Sequence, residues 1–193
     1  MGVVPRLCRE PMTVEEFLAF TETLAEDGKW ELIDGEPVMN ASPSQLHQVI
    51  ALNLAAALKD VQRQQPRAWI AALGIGVRIS DTSLIEPDVF VRPKAAVDND
   101  RFGRQCDDVI VAFEILSPST ADRDWRWKRK AYTALPSLMH YVVIAQDAVE
   151  AFVFSRANGF AEQWLTGADA SIDLPGLGIN VKLRDLYHDT GLV

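Results

Sequence analysis

Glu86-Pro87-Asp88-Val89-Phe90-Val91 and Val109-Ile110-Val111-Ala112-Phe113-Glu114-Ile115-Leu116 are two short apolar runs, each carrying an acid that a buried strand does not favour. A charge inside an apolar strand is costly unless it is paired or holds a metal. Strand side chains alternate between faces, so Glu114 and Leu116 share one side while Phe113 and Ile115 point to the other. If the two runs pair as strands, Asp88 and Glu114 converge on one hard cation, and the Ile115 carbonyl is a natural third oxygen. A Mg²⁺ (or Mn²⁺) held there can activate water and stabilise charge building on a phosphodiester. The plain alternatives are that Asp88, following a proline, ends a turn, and that Glu114 forms a structural ion pair with an arginine.

Directly after the second run come Ser117-Pro118-Ser119-Thr120 and then a segment dense in Arg, Lys and Trp. The position two residues beyond Glu114 on the same face is Leu116, which supplies no cation. The next segment does: a helix is predicted from Ala121 to about Ala134, ended by Pro136. On it Asp124, Lys128 and Tyr132 recur every four residues on one face, with Lys128 able to reach back over the acids. The window from Asp122 to Lys130 holds five basic and two acidic side chains with Trp125 and Trp127 between them. That pattern suits backbone contacts to nucleic acid, with Arg126 and Lys130 as candidates. A basic helix on an acidic protein can equally pair with its own carboxylates.

Upstream, Thr13-Val14-Glu15-Glu16 reads as a capping box opening a helix through about Leu24. Asp34-Gly35 between Lys29–Ile33 and Glu36–Met39 is a two-residue hairpin signal. Ser42-Pro43-Ser44-Gln45 predicts a helix capped by Ser42, with proline at its first position, running to about Gln64 before Pro66. Ala68 to Ile79 reads as one strand, with Gly74 and Gly76 marking a bulge or a close approach. The connection to Asp108 reads as polar loop. Downstream, Tyr141–Ile144 is a buried strand, Ala151–Phe154 and Phe160–Leu165 form a hairpin, and Leu174–Gly178 is an apolar turn. This order predicts an α/β or α+β fold with a mixed sheet, in a single domain over residues 1–193.

The net charge of −8 excludes indiscriminate binding to nucleic acid, so any such role rests on a local basic patch. Apolar runs are too short for a bilayer span, and Arg6, Arg9 and Glu10 interrupt the N-terminus, so neither membrane nor signal peptide is expected. Cys8 and Cys106 lack metal spacing and read as reduced thiols of a cytoplasmic protein. His140 and His188 carry no supporting pattern. Ser117 and Ser119 lack the glycines of a hydrolase elbow.

Five motifs in order carry a resemblance: Trp30-Glu31-Leu32-Ile33-Asp34-Gly35-Glu36; Ser42-Pro43-Ser44 with His47; Glu86-Pro87-Asp88-Val89; Phe113-Glu114-Ile115-Leu116-Ser117-Pro118-Ser119-Thr120; and Asp124, Lys128 and Tyr132. Pro87-Asp88 followed by Glu114-x-Leu116 resembles the PD-(D/E)XK nuclease signature with its lysine displaced. The whole set, spanning about residues 12 to 187, is similar to the Uma family, bacterial proteins placed among the restriction-endonuclease-like folds. The resemblance implies an α-β-β-β-α-β core within a mixed sheet flanked by helices, with an N-terminal helix and hairpins added. It implies Asp88 and Glu114 as metal ligands and Lys128 in the role of the motif lysine. Lys130, roughly 200° round the helix, is the fallback. Glu31 would be an additional acid and His47 a proton carrier or phosphate contact. The expected activity is metal-dependent hydrolysis of DNA, or less readily RNA, by a homodimer. The competing expectation is a catalytically inactive module that binds nucleic acid or protein.

Overall fold

The computed structural model describes residues 10–24, 28–116 and 123–193. In chain order the elements are α1 (Val14–Glu22), β1 (Trp30–Ile33), β2 (Glu36–Met39), α2 (Gln45–Gln64), β3 (Trp69–Ala72), β4 (Gly76–Ser80), β5 (Ser83–Ile85), β6 (Val89–Pro93) and α3 (Lys94–Asn99). They continue with β7 (Gln105–Cys106), β8 (Val111–Leu116), α4 (Arg123–Ala134), β9 (His140–Ala145), β10 (Glu150–Ser155), β11 (Glu162–Thr166), β12 (Ser171–Leu174), β13 (Ile179–Lys182) and α5 (Leu183–Leu186).

A six-stranded sheet in the order β11-β10-β9-β8-β6-β3 forms the centre. All its pairs are antiparallel except β8 with β9, which are parallel and joined through α4. The run α2, β3, β6, β8, α4, β9 therefore follows the α-β-β-β-α-β order that the resemblance implied. A second sheet, β2-β1-β5-β4-β7, stands against it, and β12 with β13 make a separate hairpin.

Alternation along the strands sorts the core into layers. Val89, Val91, Val111, Phe113, Ile115, Val142 and Ile144 face α2 and the tail, where Ile50, Leu54, Leu58, Leu183 and Leu186 meet them. Each fully buried aliphatic side chain here contributes about 1.5–3 kcal/mol. Phe90, Ala112, Tyr141 and Val143 point the other way, toward Tyr132, Leu135 and Leu138 and toward Val77 and Ile85 of the smaller sheet. Val14 and Phe17 of α1 cover the outer face of that sheet at Leu32 and Leu84.

The local signals near the N-terminus act as expected. The Thr13 hydroxyl accepts the Glu16 N–H at 3.2 Å while the Glu16 carboxylate accepts the Thr13 N–H at 2.8 Å. Asp34 and Gly35 have φ of 49° and 82°, the two positive values a type I′ hairpin turn demands. Three expectations need correction. Helix α2 is capped by Ser44 rather than Ser42: the Ser44 hydroxyl accepts the His47 N–H at 3.1 Å and is itself fixed by donating to Gln146 at 2.7 Å. Residues 68–79 are two strands rather than one, because Gly74 turns at φ 68° and the chain passes from the central sheet into the smaller one. Gly76 is a close approach, since a Cβ there would lie 2.9 Å from Leu84 Cγ. Within the connection read as loop, α3 and β7 form, the latter by parallel pairing to β4.

Helix α4 ends as expected before Pro136. Its expected start at Ala121, the acid Asp122 and the Ser117–Thr120 motif lie outside the described residues, as does Cys8. Cys106 is a free, buried thiol. No helix among the described residues is long and apolar enough to cross a membrane.

Candidate active site

Val89 of β6 pairs with Phe113 of β8, so one step further Asp88 comes opposite Glu114 at the end of the antiparallel ladder. Directly opposed residues share a sheet face with Cβ atoms about 5 Å apart. The face is the one covered by α4, as the neighbouring Phe90 and Ala112 show. The two acids read from the sequence therefore do meet. They open into a cleft of about 1110 Å³ whose walls also include Lys29, Glu31, His47, Glu86, Ile115 and Lys128.

Each acid has its own set of donors. The Asp88 carboxylate accepts from Lys29 Nζ on Oδ1 at 3.1 Å, and on Oδ2 from the Ile115 N–H at 2.8 Å, with His47 Nε2 3.1 Å away. Burial opposes its ionisation, but the His47 hydrogen bond, the Lys29 charge and the Ile115 amide outweigh it and hold the carboxyl down at about 2. Glu114 accepts from Lys128 Nζ on both oxygens at 3.2 Å, and from the Tyr132 hydroxyl on Oε1 at 2.9 Å. Only 5 % of this residue reaches solvent. Burial pushes it up to about 7; Lys128 works against that rise, while Asp88 and Glu31 add to it.

Glu31 reaches the same cluster from the smaller sheet. On β1 it points away from Leu32 and α1, and it is 1 % exposed. Its Oε1 accepts from Lys128 Nζ at 3.0 Å and from the Glu86 N–H at 2.9 Å. Burial resists its ionisation, yet the Lys128 charge and the hydrogen bonds from Asn40, Glu86 and Lys128 bring its pKa below the ordinary value. Lys128 is held protonated: burial disfavours the charge, but Glu114 and Glu31 together raise its pKa. Glu86, on the cleft wall, has its pKa raised by burial. The pocket thus carries more negative than positive charge, and burial makes part of that surplus hold protons.

Lys128 reaches the acids while Lys130 does not; Lys130 and Arg126 are exposed. Helix α4 is fixed against the β1–β2 turn by the Trp127 indole N–H, which donates to Asp34 Oδ2 at 3.0 Å. His47, set by the Ser44 cap at the start of α2, has its Nδ1 buried without a partner among the described residues. Lys29 was not singled out in the sequence. A lysine just before a hairpin reads as solvated, and nothing in its spacing points to an aspartate 59 residues away.

Asp88, Glu114 and the Ile115 backbone offer the hard oxygen donors that Mg²⁺ takes. In a β ladder one residue's N–H and C=O face the same neighbour, so the Ile115 carbonyl shares the edge where its N–H meets Asp88. Among the described residues no group of three or more His, Cys, Asp or Glu is placed to hold a metal by itself. A two-carboxylate site fits an ion that keeps several waters and takes further oxygens from a phosphate.

The family model named Uma2, whose description reads "Putative restriction endonuclease", matches residues 14–183. The chain belongs to the Uma2 family. A crystal structure of a nuclease described as putative, belonging to DUF820, from Anabaena variabilis ATCC 29413, superposes with a TM-score of 0.76 at 19 % identity, over 95 % of this chain and 100 % of that one. At that identity the likeness speaks for the fold, which is restriction-endonuclease-like in both. No curated protein matches the sequence. The Uma2 family match extends over β1 through β13, so Glu31, Asp88, Glu114 and Lys128 all fall within it.

Proposed function

We propose that this Uma2 protein hydrolyses phosphodiester bonds of nucleic acid, DNA before RNA, in the cleft between its two sheets. The observation that carries the reading is the placement of Asp88 opposite Glu114 at a strand end, with the Lys128 ammonium across from them. Asp88, Glu114 and the Ile115 carbonyl would hold Mg²⁺ or Mn²⁺, which supplies Lewis-acid activation of water and of the phosphoryl oxygens.

The chain's own groups do the rest. Lys128 offers a positive charge to the scissile phosphate, and Glu31 with Glu114 fixes where that charge sits. Tyr132 holds Glu114 Oε1 and so keeps the carboxylate turned toward the cleft. His47 bonds Asp88 through Nε2 and so helps hold that carboxylate ionised and in place. Arg126 and Lys130, exposed on α4, suit contacts to the phosphate backbone on a chain whose net charge is −8.

The test is cleavage of single- and double-stranded DNA and of RNA with Mg²⁺, Mn²⁺ or EDTA. Asp88→Asn and Glu114→Gln should abolish metal-dependent cleavage while unfolding cooperatively. Lys128→Met should lower turnover by at least about a hundredfold, the scale of losing one electrostatic contact to the transition state. A folded wild type that cuts none of these substrates with either metal would overturn the reading and leave the binding module.

A further inference from the structure

We propose that Lys29 is an internal counter-cation that holds the metal's place on Asp88 and must leave Oδ1 when a divalent ion binds. This rests on the metal-site reading above and goes further, by naming the residue that sets the affinity.

The two lysines of the cleft are held differently. Lys128 Nζ bonds Glu31 and both oxygens of Glu114, so its departure would uncover two buried carboxylates together. Lys29 Nζ bonds Asp88 Oδ1, and its side chain is 29 % exposed against 14 % for Lys128. It sits just before β1, and its flexible four-carbon stem can swing the ammonium into water, where such a charge is strongly hydrated. The other Asp88 oxygen accepts from the Ile115 amide, which cannot withdraw without moving β8, and lies 3.1 Å from His47 Nε2. Oδ1 is therefore the oxygen that can be given up to an ion.

Charge counting points the same way. Five carboxylates, those of Glu31, Glu36, Glu86, Asp88 and Glu114, line the cleft with only Lys29 and Lys128 as cationic partners, so formal negative charge exceeds positive. A divalent cation offsets part of that excess. With Lys29 released, the freed ammonium stands at the rim of the cleft where a phosphate arrives.

The test titrates Mn²⁺ into the metal-free full-length chain, reading bound ion by electron paramagnetic resonance and calorimetry. Wild type is compared with Lys29→Met, Lys29→Arg and Asp88→Asn, each verified as folded by its unfolding transition; Lys29→Gln replaces the methionine variant if that one does not fold. Removing a competing, partly exposed ion pair should tighten Mn²⁺ binding about five- to tenfold, while arginine keeps the wild-type affinity. Asp88→Asn should lose binding. Acetylation of Lys29 by an amine-reactive reagent, followed by peptide mass spectrometry, should speed up when Mn²⁺ is added to wild type. If wild type binds Mn²⁺ through Asp88 but Lys29→Met binds no tighter, the counter-cation idea falls and the metal site stands. If no variant binds Mn²⁺, both fall. Binding by Lys29→Met where wild type shows none supports the proposal in its strongest form.

Discussion

Replacing Lys128 by methionine keeps the stem and removes the charge that Glu31 and Glu114 share. The ammonium lies 3.0 Å from one carboxylate and 3.2 Å from both oxygens of the other, and both acids are nearly sealed from solvent. Breaking a buried pair by deleting one partner costs about 3–5 kcal/mol. Here protonation of Glu114 relieves part of it. A carboxyl whose folded pKa lies above its unfolded value destabilises the fold increasingly as pH rises between the two. Burial already places Glu114 at about 7, above the ordinary 4.5, and losing Lys128 moves it higher still. The expected loss is about 3 kcal/mol or more at pH 8.5 and roughly half that at pH 5.5. Urea unfolding followed by far-ultraviolet circular dichroism at the two pH values measures it. Adding Glu114→Gln removes one of the orphaned charges, so the double variant should recover at least about 1 kcal/mol relative to the sum of the singles. A Lys128→Met protein within about 0.5 kcal/mol of wild type at pH 8.5, or one whose deficit does not grow with pH, would refute the reasoning.

Asp88 gives the opposite pH signature. Its carboxyl is held down at about 2 from an ordinary 3.8, so its contribution is complete above the ordinary value and vanishes as pH falls toward 2. That contribution is about 2 kcal/mol, and Asp88→Asn should lose it at pH 7 and flatten the acid limb of the stability curve between pH 4 and 2; an unchanged acid midpoint would contradict this. Gly35→Ala should lower stability by at least about 1 kcal/mol in thermal unfolding, since alanine is strained at positive φ. Gly35 has φ 82°, and its Cβ would lie 2.7 Å from Pro11 Cα; a melting temperature equal to wild type would show that the turn can relax.

The central sheet was legible because its strands obey simple rules. Alternation alone put Glu114 on the face away from Phe113 and Ile115, and pairing of the two apolar runs then brought Asp88 opposite it. The capping box at Thr13 and the Asp34-Gly35 turn declare themselves within four residues. What stayed hidden was long-range. Strand β7 has two residues and exists only because β4 offers an edge to it. Lys29 meets Asp88 only after the hairpin docks, and the same docking brings Glu31 to Lys128, 97 residues away. The pattern pointed to Ser42 as the cap, with Pro43 at the first helical position; Ser44 caps instead, and its hydroxyl is held by Gln146 in a distant loop. The implied Lys128, in contrast, could be placed from its four-residue spacing to Tyr132.

Glu31 hangs from one sheet, Glu114 from the other, and Lys128 from the helix that Trp127 tethers to the hairpin. One nitrogen atom is thus the rivet of three separate pieces of architecture. A polyanion that drew this ammonium toward itself would slacken the joint, so filling the cleft and clasping the sheets compete for the same proton donor.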